Sequence, residues 1–368
     1  MADGKRSGGS PANEKAAKQP RMHEETASSR VQLAQPAGGW PIEVRKSATA
    51  IGQGLFAARN VSAGEVILEE LPLLIHVDDM AKHETCSHCF RMASGEKLVH
   101  MCAACGEVGF CSQACMDAAA ESSHTTAECT ALKHSLRETS EWTDEDRSLL
   151  RMLIKALLLR TQNPEGWAGL QGLAAPWDDP SLATEEAVEK DRHARLLKAV
   201  PETLDGRVVL ESEMVGCIRR DRCNAMGILS RHGVEYLRAA AVYTVASRIN
   251  HSCAPNTARL DFFDAPPGQQ GRSGGAGGSA RGGGASKGGS SCKSEAGGGE
   301  GREGTNLRVQ LRALADIQKG DEFHMHYLSM MAPFSHRQER LPLEYGFECV
   351  CERCSLDALY PPEEEEDE

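Results

Sequence analysis

The sequence predicts an α+β fold in which small β-sheets are interrupted by a cysteine-rich module and by a helical segment. Three observations support this prediction. Short apolar runs separated by Gly and Pro occupy residues 41–77, cysteines are concentrated in residues 86–129, and apolar residues recur at helical spacing within about 143–235. A chain of 368 residues is long enough for one large core plus a small module, or for two ordinary domains.

The β-rich part begins with short apolar segments at 42–44, 52–57, 66–68 and 73–75. Gly64 and Pro72 mark turns between them. Further strands are expected at 257–263 and at 307–314, where apolar and polar residues alternate. Between these two, residues 265–305 hold close to half of the chain's 36 glycines and have no means of packing a core. We therefore expect a disordered insertion in the loop of an expanded hairpin.

The helical segment begins near residue 143. Apolar residues recur at helical spacing within 149–158, and acidic residues fill the preceding turn, which is typical of a helix start. We expect this apolar face to be core. A weaker helix is expected at 185–198, after a loop at 163–180 that Gly and Pro mark.

The net charge of −12 argues against a general nucleic-acid-binding surface, and much of it comes from the acidic run at 363–368. An acidic surface suits a basic partner, such as a Lys-rich protein segment. The first 38 residues are polar, which predicts a disordered tail and no signal peptide. Their basic residues, beginning with Lys5 and Arg6, are either a nuclear-import signal or part of a solvated tail.

The strongest apolar run, 149–159, contains two basic residues and is too short to cross a bilayer. We therefore expect a soluble intracellular protein with no membrane partner, located in the nucleus, the cytoplasm or both. The 14 cysteines of such a protein point to metal sites before disulfides, because the compartment is reducing.

The cysteine block contains paired residues at zinc-ligand spacing: Cys86 and Cys89, Cys102 and Cys105, Cys111 and Cys115, and His124 and Cys129. A two-residue gap lets both thiolates turn toward one ion, and spacing of i, i+4 puts Cys111 and Cys115 on one face of a helix start. Eight ligands complete two tetrahedral sites with no open position, so both ions would be structural. Buried free thiols are the alternative, which the paired spacing disfavours.

These residues, together with the Phe-Cys-Ser-x-x-Cys core at 110–115, resemble the MYND zinc finger. The resemblance implies that Cys86, Cys89, Cys111 and Cys115 bind one zinc, and that Cys102, Cys105, His124 and Cys129 bind the other. The gaps before His124 and Cys129 are a residue longer than in the usual family pattern. MYND fingers bind proline-containing peptides or support a neighbouring domain, so such a peptide is a possible partner.

Four further motifs carry polar chemistry: Gly52-Gln53-Gly54, Asn250-His251-Ser252-Cys253, the segment 320–327 that ends in Tyr327, and Cys349-x-Cys351-x-x-Cys354. Taken singly, each has a structural interpretation, because glycines often make turns and a tyrosine often lies in the core or at its rim. The last motif supplies three zinc ligands and needs a fourth from elsewhere, for which Cys253 is the candidate.

In this order, the four motifs resemble the SET domain of protein lysine methyltransferases. The region 41–356 resembles the SET-and-MYND family, in which the finger is inserted after the first strands. The resemblance implies S-adenosylmethionine as the cofactor and three zinc ions. It also implies roles for the motif residues: Gly52 and Gly54 let the backbone approach the cofactor, Asn250 and His251 hold its amino-acid and adenine portions, and Phe347 packs on adenine.

Further roles follow from the same resemblance. Tyr327 matches the active-site tyrosine, and Asn224 matches an asparagine near the cofactor, although Met226 stands where the family has an aromatic residue. Tyr243 and Tyr345 are either core residues or part of a lysine channel. The implied ligands of a post-SET zinc are Cys253, Cys349, Cys351 and Cys354.

The implied organisation is a disordered tail (1–38), a split SET domain (41–356) that contains the MYND finger (86–129) and a helical insert (130–235), the disordered Gly-rich insertion (265–305), a post-SET segment (340–356) and an acidic tail (357–368). Many family members continue into a C-terminal helical repeat domain. This sequence ends soon after the post-SET segment, so we expect a more open substrate cleft.

The implied function is transfer of a methyl group from S-adenosylmethionine to a lysine side chain of a histone or another protein. This chemistry needs alignment and exclusion of water, without a covalent intermediate. In an alternative hypothesis the protein is a zinc-dependent adaptor with a catalytically idle SET core. The joint presence of Gly54, Asn250, His251 and Tyr327 favours the enzyme. Sequence-specific binding of nucleic acid is disfavoured by the acidic charge and the lack of a basic helix.

Deletion of residues 268–304 should leave the free energy of unfolding within about 1 kcal/mol of the full-length value, because loop-closure entropy rises slowly with loop length. Chemical denaturation of both proteins measures the difference. A fold that collapses on deletion would show that the insertion contributes structure of its own.

Overall fold

A computed structural model describes residues 38–48, 52–93, 97–137, 139, 141–175, 187–230, 236–264 and 307–359. Three sequence predictions concern segments that lie wholly or almost wholly outside these ranges. They are the disordered tail at 1–38, the Gly-rich insertion at 265–305 and the acidic tail at 357–368.

Strands are short throughout the described residues, as the frequent turn signals predict. They are β1 (Ile42–Lys46), β2 (Gln53–Ala57), β3 (Val66–Glu70), β4 (Leu74–Val77), β5 (His100–Met101), β6 (Gly109–Phe110), β7 (Thr203–Leu204), β8 (Arg207–Val208), β9 (Met226–Leu229), β10 (Leu237–Val242), β11 (Asn250–His251), β12 (Thr257–Asp261), β13 (Val309–Ala313) and β14 (His324–Met325).

Helices occur both inside the cysteine block and after it. The α-helices of the described residues are α1 (Gln113–Ala120), α2 (Thr126–Ser135), α3 (Asp144–Gln162), α4 (Pro164–Gln171), α5 (Ala187–Ala199), α6 (Glu211–Asn224), α7 (Phe334–Tyr345) and α8 (Glu352–Leu359). Short 3-10 helices lie at Asp79–Ala81 and Ala246–Arg248. None of the helices in the described ranges combines the length and the apolar character that a membrane crossing requires.

The strands form several small sheets, and the α+β prediction is confirmed. β1 pairs with β2, and β10 lies between β4 and β9 in an antiparallel sheet. β13 lies between β12 and β3, antiparallel to both. The pairing of β12 with β13 runs from Thr257 opposite Ala313 to Asp261 opposite Val309. This register confirms the predicted hairpin on either side of the Gly-rich insertion.

Helix α3 is the centre of the largely helical part of the core. Its predicted apolar face is buried, with Leu150, Leu153 and Ile154 each fully buried. Thr143 caps its first turn by accepting a hydrogen bond from the Asp146 amide at 3.1 Å. Several buried side chains of the cysteine block, such as Phe110 and Val108, belong to the same apolar cluster as α3, whereas Phe90 belongs to the cluster of the β-sheets. The metal-binding module and the helices therefore share one core.

Two segments differ from the predicted secondary structure. The predicted loop at 163–180 contains α4, in which Asn163 accepts a hydrogen bond from the Gly166 amide at 3.0 Å and Pro164 occupies the first turn. Asn followed by Pro is a helix-start signal here, because proline fits the first turn without losing a hydrogen bond. The predicted helical region up to 235 also contains strand β9, because pairing with β10 outweighs local propensity.

A buried ion-pair network joins the cysteine block to α3. Asp79 accepts from Arg147 Nε at 2.8 Å and from Arg151 Nη2 at 2.6 Å, and Glu107 Oε2 lies 2.6 Å from the same Arg151 nitrogen. The side chains of Asp79 and Arg151 are each 5% exposed. Burial opposes ionisation of Asp79, but the Arg151 charge and the arginine hydrogen bonds outweigh it and hold the pKa of Asp79 below its usual value.

Substitution Asp79→Ala should lower the free energy of unfolding by about 3–5 kcal/mol, because it leaves the guanidinium groups of Arg147 and Arg151 with Glu107 as their one remaining carboxylate in this network. Since the pKa of folded Asp79 is lowered, its contribution is present at neutral pH and is lost as the pH falls through that lowered value. Urea denaturation at neutral and acid pH measures both effects.

The matched control is Arg59→Ala, which breaks an ion pair with Glu65 in which Arg59 is 55% exposed. Its cost should be about 1 kcal/mol or less. Equal losses in the two variants would contradict a special role for the buried network.

Candidate functional site

A cavity of about 460 Å³ opens where distant segments of the chain meet. Its volume lies in the usual range of small-molecule sites, which is about 300–1,000 Å³. The walls come from the start of β2, the turn after α4, the end of α6, the segment around β11 and β14, and the chain that follows α7. The sequence-predicted residues that line it are Gly52, Asn224, Asn250, His251, Tyr327, Phe347, Cys349 and Cys351.

Strand pairing places two of the motifs side by side. β11 runs parallel to β14, with Asn250 opposite His324 and His251 opposite Met325. The Ser252 amide extends this pairing by donating to the Met325 carbonyl at 3.0 Å. As a result, the Asn-His-Ser-Cys run and the segment that leads to Tyr327 enter the cavity together.

Gly52 and Gly54, the two glycines of the first motif, are required for different structural reasons. Gly52 lines the cavity and has a φ of +97°, which side chains rarely adopt. Gly54 does not line the cavity. A Cβ at this position would overlap Glu322 Oε1 and lie 2.8 Å from Asn250 Nδ2. The structure thus supplies a packing reason for Gly54, because a carboxylate fills the space that its side chain would need.

Glu322 is a cavity residue that the sequence analysis missed. Its Oε1 accepts from Asn250 Nδ2 at 2.6 Å, and its Oε2 accepts from Ser47 Oγ at 3.0 Å. Only 9% of its side chain is exposed. The one available signal is an acidic residue five positions before Tyr327 within the same motif.

The ring of His251 is held at both nitrogens. The Tyr327 amide donates to Nδ1 at 3.0 Å, and Nε2 lies 3.2 Å from Cys253 Sγ. Because Nδ1 accepts, the proton of the neutral ring is on Nε2 and points to the sulfur. Burial lowers the pKa of His251 to about 4, so the ring is neutral at physiological pH. The ring nitrogens are thus committed to the protein, and any ligand would contact the backbone or the ring face.

Tyr327 presents a fixed hydroxyl group. The hydroxyl donates to the Ile249 carbonyl at 2.7 Å, which leaves its oxygen lone pairs available as acceptors. Burial raises the pKa of Tyr327 well above its usual value, so the hydroxyl keeps its proton. The ring centroid lies 4.9 Å from that of Tyr345 and 6.4 Å from that of Phe347. We call these three rings the aromatic wall.

The structure distinguishes Tyr243 from Tyr345, the two tyrosines for which the sequence left a core role and a role in the lysine channel open. Tyr345 lines the cavity, whereas Tyr243 is fully buried in the core of the β-sheets. Gly346 adopts a left-handed conformation with a φ of 76° and ends α7. This turn lets the residues on both sides of the glycine, Tyr345 and Phe347, line the same cavity.

Asn224 holds a wall of the cavity in place. Its Nδ2 donates to the Ala174 carbonyl at 2.7 Å and to the Arg220 carbonyl at 2.8 Å, and the side chain is buried. The turn at 172–174 lines the cavity and is therefore anchored to the end of α6. Met226, at the position where the resemblance has an aromatic residue, is buried in the core of the β-sheets.

The four post-SET cysteines converge beside the cavity, although 96 residues separate Cys253 from Cys349. Their sulfurs lie within 4.8 Å of one another, with Cys253 Sγ 3.9 Å from Cys349 Sγ and 3.5 Å from Cys354 Sγ. Sulfurs about 2.3 Å from a tetrahedral zinc stand about 3.8 Å apart. This all-thiolate set therefore fits zinc and leaves no open coordination position.

The finger ligands divide into the two predicted groups, which are Cys86, Cys89, Cys111 and Cys115, and Cys102, Cys105, His124 and Cys129. Within the first group, Cys111 Sγ lies 3.7 Å from Cys89 Sγ and 3.5 Å from Cys115 Sγ. Within the second, His124 Nε2 lies 3.6 Å from Cys105 Sγ. Both groups have the spacing of tetrahedral zinc sites.

A buried carboxylate links the second finger group to α3. Glu128 Oε2 lies 3.6 Å from His124 Nδ1, and Glu128 Oε1 lies 2.7 Å from Lys155 Nζ. A carboxylate behind a metal-binding histidine commonly orients the ring. Lys155 also donates to the Ser123 carbonyl at 2.8 Å, next to the ligand itself.

A family model described as SET domain matches residues 52–328. Among curated relatives, Histone-lysine N-methyltransferase ASHR2 from Arabidopsis thaliana is 28% identical over 333 residues, covering 86% of this chain and 72% of the relative. SET domain and MYND-type zinc finger protein 6 from Schizosaccharomyces pombe is 25% identical over 315 residues, covering 83% of this chain and 50% of the relative. The chain thus spans between half and about three quarters of the length of these two relatives.

A solved structure described as the SET domain of LSMT bound to lysine and AdoHcy aligns over 85% of this chain and 54% of that chain. The TM-score is 0.45 and the sequence identity is 13%. Similarity at this level does not transfer residue roles.

Elemental analysis of the purified protein should give about three zinc ions per chain, one for each ligand group. Substitution Cys253→Ser should reduce the count to about two, because it removes one ligand of the post-SET group. Cys217→Ala is the control, since Cys217 is buried outside the three groups, and it should keep three ions. Three zinc ions in the Cys253→Ser variant would show that this grouping is wrong.

Proposed function

We propose that this chain, which belongs to the SET-domain family and carries a MYND-type zinc finger, transfers a methyl group from S-adenosylmethionine to a lysine side chain of a protein. One observation carries the proposal. Gly52, Asn250, Tyr327 and Phe347 come from four separate segments and line one cavity. The match to the SET-domain model and the names of the relatives support the same activity.

The cavity fits the proposed cofactor in size and in chemistry. Its Asn250 amide can bind the polar amino-acid portion, and the ring of Phe347 offers a flat apolar surface for the adenine. The left-handed Gly52 keeps its part of the cavity wall free of side-chain bulk. When bound, S-adenosylmethionine supplies a methyl group on a cationic sulfur.

Tyr327 and the aromatic wall would orient the lysine. The Tyr327 hydroxyl is anchored to the Ile249 carbonyl, so its oxygen can accept a hydrogen bond from the amine in one fixed direction. The electron-rich faces of Tyr345 and Phe347 favour cationic groups beside them, including a methyl-bearing sulfonium or ammonium. Alignment of the amine and exclusion of water are the main contributions of these residues.

The lysine must lose its proton before it attacks, and we propose that the proton leaves to solvent. His251 is unsuited as a base, because its Nδ1 already accepts from the Tyr327 amide and its pKa is about 4. Tyr327 keeps its own proton, since burial raises its pKa. The amine is therefore expected to enter the cavity already neutral.

The substrate is proposed to be a protein with a basic segment, either a histone or another protein, because the chain carries a net charge of −12. A proline-containing peptide is the proposed partner of the finger at 86–129. We also propose that the chain is divided into a split SET domain (41–356), a helical insert (130–235) and a post-SET segment (340–356). A location in the nucleus, the cytoplasm or both is proposed with it.

Substitution Tyr327→Phe should lower the rate of methyl transfer by about a hundredfold or more, because it removes the oxygen that directs the amine. Affinity for S-adenosylhomocysteine should stay within about threefold of the wild-type value, since the hydroxyl acts on the lysine. A tritiated-methyl assay on a histone mixture and on cell extract measures the rate, and calorimetry measures the affinity.

Tyr243→Phe is the matched control. It removes a buried hydroxyl that has no hydrogen-bond partner within the described part of the chain, so the rate should not change. Equal rates for wild type and Tyr327→Phe would remove Tyr327 from the site. Cofactor binding without transfer to any protein would favour the adaptor hypothesis.

A further inference from the structure

We infer that Glu322 is a positioning residue that fixes which end of the Asn250 side-chain amide faces the cavity. The inference rests on the proposed function, because it concerns recognition of the proposed cofactor. Glu322 would act through Asn250, whose Nδ2 donates to its carboxylate.

The carboxylate of Glu322 is held at both oxygens. Oε1 accepts from Asn250 Nδ2 at 2.6 Å, and Oε2 accepts from Ser47 Oγ at 3.0 Å. His324 Nε2 lies 3.8 Å from Oε2, and the Glu322 side chain is 9% exposed. The backbone is fixed as well, since the Glu322 carbonyl accepts from Asn256 Nδ2 at 2.9 Å. The carboxylate is therefore a rigid acceptor next to the amide.

The two neighbours of Asn250 Nδ2 determine the direction of the amide. The Gln53 carbonyl, at 3.3 Å, can only accept a hydrogen bond, and Glu322 Oε1 accepts the other N–H. The NH₂ end must therefore point to the Gln53 carbonyl and the Glu322 carboxylate. Asn250 lines the cavity, and its Oδ1 is the end that remains for a ligand.

An exposed amide oxygen selects one half of an amino-acid group. The amino-acid portion of S-adenosylmethionine carries an ammonium, which donates, and a carboxylate, which accepts. Asn250 Oδ1 can bind the ammonium but not the carboxylate. With the amide reversed, its NH₂ would attract the carboxylate instead. Glu322 thereby determines whether the Asn250 amide binds the ammonium or the carboxylate of the ligand.

The same carboxylate explains why Gly54 must be glycine. Any Cβ at residue 54 would overlap Glu322 Oε1 and lie 2.8 Å from Asn250 Nδ2, so it would displace the pair. Gly54 of the first motif and Glu322 are thus packed directly against each other. The glycine makes room for the carboxylate, which in turn directs the amide.

The test compares two ligands across three variants by calorimetry on the full zinc-loaded protein. S-adenosylhomocysteine contains the amino-acid portion, and 5′-methylthioadenosine lacks it. Glu322→Met removes the acceptor at similar size, and should weaken S-adenosylhomocysteine by about tenfold or more while 5′-methylthioadenosine stays unchanged. Glu322→Gln keeps one oxygen toward Asn250 and should stay within about threefold of wild type. Asp321→Asn, a charge change at an exposed neighbour, is the control.

Three results would overturn the inference. If Glu322→Met weakens the binding of both ligands equally, the substitution has damaged the cavity in general. If Glu322→Met and Glu322→Gln lose the same affinity for S-adenosylhomocysteine, the carboxylate acts only by attracting the ligand through its charge. If Glu322→Met binds S-adenosylhomocysteine as tightly as wild type does, Glu322 has no role in cofactor recognition. If wild type binds neither ligand, the proposed function itself fails. Should Glu322→Met not fold, Ser47→Ala replaces it, and a smaller loss confined to S-adenosylhomocysteine is expected.

Discussion

The convergence of Cys253 with Cys349, Cys351 and Cys354 is the constraint on which the rest of the site depends. Their sulfurs lie within 4.8 Å of one another, and such a group of thiolates stays together only around a metal ion. Cys253 follows β11, and the other three flank the start of α8. A zinc ion there holds the end of the chain against the centre of the fold, and the segment that it holds supplies one wall of the cavity.

This constraint reaches the cavity through His251. The ring lies between Cys253 Sγ, at 3.2 Å from Nε2, and the Tyr327 amide, at 3.0 Å from Nδ1. The position of the metal ligand therefore helps to set the position of Tyr327, whose hydroxyl is fixed in turn by Ile249. The finger is joined to the same body by a different means, since Glu107 and Asp79 share the buried guanidinium of Arg151. Both metal-binding regions are thus parts of one packed structure.

The sequence predicts well those features that local spacing determines. The paired cysteines, the start of α3 and the hairpin around the Gly-rich insertion follow from short patterns. The assignment of the finger pairs to two ions was implied by the family resemblance, and Cys253 lies 96 residues before Cys349. Glu322 could not be found in this way, because its partners Ser47 and Asn250 lie 275 and 72 residues away. The same holds for the pairing of Asp79 with Arg151, 72 residues apart. Asn163 and Pro164 carry the signal for the start of α4. Proline, however, occurs both at the first turn of a helix and where a helix is interrupted, and the packing of the chain decides between the two.

A crystal structure of the zinc-loaded chain grown with S-adenosylhomocysteine tests the central claim most directly. The account predicts one ion bound by Cys253, Cys349, Cys351 and Cys354, and ligand density in the adjoining cavity between Gly52, Asn250 and Phe347. A C-terminal segment folded away from Cys253, or ligand density at another place on the protein, would contradict it.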